Sequence, residues 1–429
     1  MTNKPNIIMF ITHDQGQLIG CYDNRQMPNT LNTRNIDKIA EEGVRFANNF
    51  CTAPQCSPSR GSIMTSLYPH QNGLMGLVNR GWTLPESNKT LPMYLKENGY
   101  STHLIGLQHE SRDPSTLGYD SIIPFRFSHR RMKKDITAFF TNLKQENLPF
   151  YACFGTWGSH IPFKNWGTPV DPNSVKVPPF LPDVEDIRMD LSELYGNIHV
   201  VDDIVGHILE NLEKSNLKDN TLFIYTTDHG IAFPRAKCTL YDPGIKTTLI
   251  MSKPGLGYLN NGKVINTKVS NIDLLPSILE LIEAKVPDNI EGKSFISILK
   301  GDLKELREEI YIEQTYHDIY NPMRGIRTDN YKYIKNFKDS EVLFEIPEDM
   351  RDMARCGGVF MNDHPELYKG KRMTEELYDL KNDPNEKNNV LNDPDYKTIS
   401  SELRQKLEAW MERTYDPIIK GRVKHPNEI

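Results

Sequence analysis

Cysteine is scarce in this chain: six residues in 429 cannot form the dense disulfide framework of a small secreted scaffold. Charge of one sign is lacking as well. With 51 Lys+Arg against 57 Asp+Glu, the formal net charge is −6, which removes the electrostatic case for a dedicated nucleic-acid binder. Long hydrophobic runs are missing near the start, where Ile7-Ile-Met-Phe-Ile11 is too short for a signal-peptide core or a membrane span. No small-residue cleavage site, internal repeat or low-complexity tract is visible. The expectation is a cytoplasmic protein with reduced thiols and no membrane partner. A composition of 38% hydrophobic and 25% charged residues is that of an ordered globular chain.

What is present is an alternation of short apolar runs with helical patterns. Strands are expected at Ile7–Thr12, Thr102–Gly106, Phe150–Thr156, Thr221–Thr227 and Thr247–Ser252. Each is β-branched or aromatic and apolar without strict alternation, as strands buried on both faces are. Helices are expected at Asn35–Glu42, Ser57–Leu67, Thr90–Asn98, Lys134–Lys144, Ser192–Lys214 and Asp273–Ala284, the last with Asp273 as N-cap. This pattern predicts an α/β fold, a large mixed and mostly parallel sheet sandwiched by helices.

Near residue 305 the character changes. Tyr311–Gln314, Met323–Arg327, Tyr331–Asn336 and Glu376–Leu380 read as antiparallel strands, with a Thr-Asp-Asn turn before Tyr331. An amphipathic helix carrying Leu403, Leu407, Trp410 and Met411 closes the chain. A catalytic α/β domain, 1–305, and a smaller C-terminal α+β subdomain, 306–429, are therefore expected. The stretch from Phe344 to Arg372 reads as an irregular loop.

Ionisable groups gather where the strands end. The first runs into His13-Asp14, the second is followed by His109, the third by His160 and the fourth by Asp228-His229. In open α/β sheets ligands sit beyond the carboxyl ends of strands, so these groups should converge on one cleft. His13, Asp14, Asp228 and His229 make a candidate metal site, the carboxylates suiting a hard divalent ion and the imidazoles a borderline one. The alternative is that Asp14 and Asp228 cap neighbouring turns.

The sharpest local pattern is Cys56-Ser57-Pro58-Ser59-Arg60. Pro58 marks a helix start, which places Cys56 where backbone N–H groups and the helix dipole favour anions. A thiol there is expected to have a lowered pKa, with Arg60 one turn in and able to reach over it. Both a nucleophile and a half-buried capping thiol fit that position. Cys51 lacks the partner spacing for a metal pair or disulfide, and Cys21, Cys153, Cys238 and Cys356 read as ordinary thiols.

Cys56-Ser-Pro-Ser-Arg60 with the following Gly-Ser-Ile-Met-Thr-Ser-Leu resembles the signature of the sulfatase family, in the alkaline phosphatase-like superfamily. Gly99-Tyr100 through Gly106-Leu-Gln-His109, Thr227-Asp228-His229-Gly230, and Leu377-Tyr-Asp-Leu380 with Asp383-Pro384 resemble further blocks of that family. Pro69-His-Gln-Asn-Gly73, Gly230-Ile-Ala-Phe-Pro234, Leu240-Tyr-Asp-Pro-Gly244 and Asn321-Pro-Met-Arg324 are similar to the sulfamidases, which hydrolyse N-sulfoglucosamine.

The resemblance implies a sulfatase acting on a sulfated sugar, most closely an N-sulfoglucosamine-type sulfamate of heparan or heparin origin. It implies that Cys56 becomes formylglycine (3-oxoalanine) through a formylglycine-generating maturase, and that one hydroxyl of the hydrated aldehyde attacks sulfur while the other later expels sulfate. Arg60 and Lys237 would hold the sulfate and the aldehyde hydrate. His109 would orient or deprotonate the diol, and His160 would protonate the leaving atom. One divalent metal is implied, Ca²⁺ by preference, with Mn²⁺ or another borderline ion as the alternative. Three residues depart from the family pattern: His13 replaces the first of two adjacent Asp, His229 a common Asn, and Leu107 a Lys two residues before His109. Gln108 or Arg80 would have to supply what Leu107 cannot. Rival expectations are a phosphonate monoester or phosphodiester hydrolase of the same superfamily and an inactive sulfoglycan-binding relative. Homo-oligomerisation is left open.

Overall fold

The computed structural model describes residues 4–22, 31–143 and 148–428. Its main sheet has eight strands in the order Lys263–Ile265, Val44–Phe46, Leu249–Ser252, Thr221–Thr227, Asn6–Thr12, Phe150–Gly155, Ser101–Gly106 and Ser121–Pro124. Five of the seven pairings are parallel, and Leu249–Ser252 runs antiparallel to both neighbours. The expected mixed, mostly parallel sheet is thus observed.

The central strand shows why its sequence carries no polar alternation. Ile7, Met9 and Ile11 enter one core with Ile63 and Met64 of the helix Cys56–Thr65, while Ile8 and Phe10 enter another with residues of the helices Arg34–Glu42, His129–Leu143 and Glu185–Lys214. All five are fully buried, at about 1.5–3 kcal/mol per large apolar side chain. Parallel register then aligns the strand exits: Thr12 lies opposite Thr227, and Ile11 and Gly106 both lie opposite Gly155. The residues just beyond share one edge of the sheet.

Several expected elements shift. The long helix starts at Glu185, seven residues before Ser192, because Glu185 and Asp186 complement the positive end of the helix dipole. The expected Lys134–Lys144 helix begins at His129 and is described to Leu143; Lys144 lies outside the described residues. The expected Thr247–Ser252 strand divides. Thr248 turns to donate its N–H (3.2 Å) and hydroxyl (2.7 Å) to the Gly16 carbonyl, so Lys246–Thr247 joins a separate small sheet. Asp273 makes no side-chain cap for the helix Leu274–Leu281. Its carboxylate instead accepts the N–H groups of Ser270 and Lys293, both at 2.8 Å.

A four-stranded antiparallel sheet follows, Ile310–Tyr316, Tyr320–Arg327, Tyr331–Asn336 and Glu375–Asp379. The helix Lys397–Arg413 returns Leu403, Leu407, Trp410 and Met411 to the same core as the Cys56 helix. A buried polar network also ties this region to the short helix Pro69–Asn72 that follows the Cys56 helix. The His70 N–H donates to Glu313 Oε1 at 2.9 Å and its ring pairs with the other oxygen, while Arg324 holds Asp416 bidentately and donates to the Gln314 carbonyl at 2.7 Å. Arg324 is thus a structural residue.

The stretch from Phe344 to Arg372 is not irregular. It contains the short helices Glu348–Met353 and Arg355–Gly358, and buries Phe344, Ile346, Met350 and Phe360 against the helix-bearing face. Arg355 clamps Asp190 (2.8 Å) and Glu193 (2.9 Å) of the long helix, and the Cys356 N–H donates to Asp190 at 2.7 Å. The loop's hydrophobic residues lacked a period because they serve very short helices.

Candidate active site

The strand exits converge on Asp14. Its backbone is left-handed (φ +46°), an uncommon conformation for a residue with a side chain, and its N–H donates to Asp228 Oδ1 at 3.0 Å. Beside it, Gly230 has no room for a side chain: a Cβ there would stand 1.8 Å from the Pro243 carbonyl oxygen. The exit of the Thr221–Thr227 strand is thereby pressed against the short helix Asp242–Ile245.

Around Asp14 the structure gathers most of the expected residues. His229 Nε2 lies 3.0 Å from Asp14 Oδ1, and Cys56 Sγ lies 3.7 Å from that oxygen and 3.3 Å from His229 Nε2. Lys237 Nζ donates to Asp14 Oδ2 at 2.9 Å, and His160 Nε2 stands 3.7 Å from the same oxygen. The His160 Nδ1–H donates to the Ile161 carbonyl at 2.5 Å, which leaves Nε2 facing the cleft. His13 stacks on Trp157 at 4.6 Å, and His109 and His160 lie 5.8 and 5.3 Å from the His13 ring.

Cys56 is the first residue of its helix, one residue ahead of the expected start at Ser57, and its thiol pKa is not lowered. Burial, together with Asp14 and Asp228, pushes it well above the usual thiol value, and Lys237 does not offset them. Low dielectric and two carboxylates outweigh the helix start. Asp14 behaves oppositely. Burial would raise its pKa, but Lys237, His160 and His229 outweigh that and hold it well below the carboxylate range. Burial and the nearby Arg60 bring His13 down to about 3, and burial and His13 depress His109 strongly.

Arg60 is 1% exposed. Its Nε donates to Asp228 Oδ2 at 3.1 Å and a terminal nitrogen to the Thr12 carbonyl at 3.2 Å, so in this state it braces a carboxylate and a strand end. Ser59 supports the same residue through the Asp228 carbonyl at 2.5 Å, and Asn271 holds the Ser59 hydroxyl at 2.9 Å.

A divalent ion fits the donor set. Asp14, Asp228, His229 and Cys56 offer ligand atoms within 4.8 Å of one another, as do His13, Asp14, Cys56 and His160. Both ring nitrogens of His13 are buried with no hydrogen bond among the described residues, although Nδ1 is 3.1 Å from Asp228 Oδ2. A buried neutral imidazole with unsatisfied nitrogens is what a metal ligand requires.

Two neighbours escaped the sequence reading. Trp157, two residues past a strand exit, was findable from that position. Asp349 was not: it comes from the stretch read as a loop, and its Oδ2 accepts Lys237 Nζ at 2.8 Å. Neither substitute for Leu107 reaches over the cleft, for Gln108 bonds its own loop at Ser111 and Glu110, and Arg80 pairs with Glu348 on the surface.

Comparison with known proteins accounts for this arrangement. The sulfatase family model matches residues 5–284, and the model described as N-sulphoglucosamine sulphohydrolase, C-terminal, matches residues 229–369. An ulvan-active sulfatase of Formosa agariphila is 28% identical over 428 residues, covering 97% of this chain and 82% of its own. Human N-sulphoglucosamine sulphohydrolase is 26% identical over 475 residues, covering 96% and 91%. A solved structure in complex with its substrate D-glucosamine-2-N,6-O-disulfate superposes with a TM-score of 0.74 at 20% identity, over 96% of this chain and 99% of that one, showing a shared fold. With a family model spanning most of the chain and its cysteine, histidines and carboxylates meeting at one sheet edge, this protein belongs to the sulfatase family.

Proposed function

We propose that this sulfatase cleaves the N-sulfo group of a glucosamine-type sugar of heparan or heparin origin, with Cys56 matured to formylglycine and a divalent metal held by His13, Asp14, Asp228 and His229. The observation that carries the reading is the meeting of Cys56, His229, Lys237 and His160 within 4 Å of the two Asp14 carboxylate oxygens. The match of residues 229–369 to the sulphohydrolase C-terminal model and the human relative support the N-sulfo preference.

Within this reading the bound metal supplies charge stabilisation to the sulfate oxygens, and the matured side chain at 56 supplies a hydroxyl nucleophile. The protein's own groups do the rest. Lys237 brings a buried cation to the same oxygens, a contribution on the order of 3 kcal/mol for one such donor. Arg60 fixes Asp228, and through it the ligand geometry. His160, its Nδ1–H held by the Ile161 carbonyl, delivers a proton from Nε2 to the leaving atom when in its imidazolium form, worth roughly 10²–10⁴-fold. His109, buried with an unpartnered Nδ1 among the described residues, orients the nucleophile or takes its proton. Ca²⁺ is the favoured ion, and two imidazoles admit Mn²⁺.

The reading keeps 1–305 as catalytic domain and 306–429 as a subdomain that lends Asp349 to the site. A formylglycine-generating maturase is the implied partner. Six cysteines without a disulfide support a reducing, cytoplasmic setting, and no described helix is long and apolar enough to cross a membrane.

Purified, matured protein assayed on N-sulfoglucosamine, an aryl sulfate and a phosphodiester tests the proposal. Highest kcat/KM on the sulfamate supports it. A phosphodiester preferred by orders of magnitude moves the protein to the rival hydrolase class.

A further inference from the structure

We propose that Asp349 is the residue that selects a nitrogen-linked sulfate over an oxygen-linked one, by accepting a hydrogen bond from the N–H of the scissile sulfamate. The assignment rests on the sulfatase reading above, in which His160 serves the leaving atom.

Asp349 is the second residue of the helix Glu348–Met353 and the only carboxylate of this segment that contacts Lys237 among the described residues. Its Oδ1 accepts its neighbour's Met350 N–H at 2.9 Å, and its Oδ2 accepts Lys237 at 2.8 Å. Each oxygen has a second lone-pair direction, so the group retains capacity. Its side chain is 18% exposed and that of His160 17%, whereas Lys237 and Asp14 are at 0%. The two therefore form the side of the site that a sugar reaches first.

The decisive distance is 3.9 Å between Asp349 Oδ2 and His160 Nε2. A single substrate atom can lie about 3 Å from both, within hydrogen-bond range of each. If His160 donates to the leaving atom, Asp349 faces the same atom. A sulfamate nitrogen carries one hydrogen, which the carboxylate can accept. A sulfate-ester bridging oxygen carries none, and its lone pairs face a carboxylate without a bond to offer. Burial would raise the Asp349 pKa, but Lys237, His317 and His160 outweigh it and hold the group at about 2, so it is an anion throughout the neutral range.

The step balances without a further reactant. The S–N bond breaks with its electron pair left on nitrogen, the sulfuryl group passes to the hydroxyl nucleophile at position 56 as that hydroxyl's proton passes to His109, and the imidazolium form of His160 gives nitrogen its Nε2 proton. The resulting amine takes another proton from water, and the ammonium finds its counter-ion in Asp349.

The test compares matured, metal-loaded wild type with Asp349→Asn and Asp349→Glu on N-sulfoglucosamine and on a 6-O-sulfated glucosamine. A site built around a substrate N–H loses discrimination when that acceptor is blunted. Asp349→Asn should lower kcat/KM on the sulfamate by about 100-fold and on the ester by less than about 10-fold, with Asp349→Glu recovering part of the sulfamate rate. Equal losses on both substrates would mean that Asp349 merely holds Lys237, and would overturn the assignment. Should the variants fail to fold, wild type alone decides: glucosamine should inhibit at least about 10-fold more tightly than glucose, and equal inhibition refutes the proposal. If wild type cleaves neither sulfate, the enclosing sulfatase reading has failed, and the assignment falls with it.

Discussion

Arg60→Ala distinguishes a brace from a substrate-binding cation. In the structure the guanidinium, 1% exposed, donates to Asp228 Oδ2 at 3.1 Å, to the Thr12 carbonyl at 3.2 Å and to the Ile11 carbonyl at 3.5 Å. Burial alone would lower the Arg60 pKa, but Asp228 and Glu110 raise it, so the cation is firmly held. Removing it leaves Asp228, a fully buried carboxylate, without the guanidinium that pairs with it. Breaking a buried pair in this way costs about 3–5 kcal/mol, a large part of a typical stability of about 5–15 kcal/mol. Urea unfolding of the metal-free protein, followed by circular dichroism, should show that loss. Saturating Ca²⁺ should narrow the gap between variant and wild type, because the ion neutralises Asp228 in place of Arg60. Arg60→Lys, with charge but no fork, should fall between the two. If metal-free Arg60→Ala unfolds within about 1 kcal/mol of wild type and only KM rises, Arg60 is a substrate ligand and the bracing argument is wrong.

Three further outcomes follow from the geometry. His13→Asp replaces a buried neutral ring with a third carboxylate, so calorimetric titration should show Ca²⁺ affinity rising relative to Mn²⁺ by at least about 10-fold; an unchanged ratio would place His13 outside the metal's shell. The unmatured Cys56 thiol, its pKa pushed up by burial and two carboxylates, should react with iodoacetamide at pH 8 far more slowly than free cysteine, and rapid labelling would contradict the buried placement. Asp202, held by burial at about 6, caps the helix Arg34–Glu42 by accepting the N–H groups of Asn35 (3.0 Å) and Ile36 (2.9 Å). Its folded pKa lies above the unfolded value of about 3.9, so the folded state binds the extra proton and stability falls as pH rises from about 4 to 6, by at most about 3 kcal/mol. Asp202→Asn should flatten that slope in urea titrations, and an unaltered slope would assign it elsewhere.

The central strands of the main sheet were legible because they are apolar on both faces, and four of the five expected strands run into an ionisable residue. Register did the rest: with Thr12 opposite Thr227, residues 13, 14, 228 and 229 had to meet. What stayed hidden depends on tertiary placement. Nothing local distinguishes Asp349 from its neighbour Glu348, yet one reaches Lys237 and the other pairs with Arg80 on the surface. The thiol of Cys56 was misjudged for the same reason. A helix start is visible in Pro58, while the two carboxylates brought beside it from residues 14 and 228 are not. Short strands such as Val44–Phe46 and Lys263–Ile265, three residues each, are too short to show a period.

The central claim is that position 56 carries the nucleophile only after maturation. Protein expressed with graded amounts of a formylglycine-generating maturase provides the direct measurement: mass spectrometry of the Cys56 peptide gives the fraction carrying an aldehyde in place of CH₂SH, and sulfate release from N-sulfoglucosamine gives turnover in the same samples. The account predicts that turnover rises in proportion to the converted fraction and vanishes with it. Full turnover from protein whose Cys56 is wholly unmodified would contradict it.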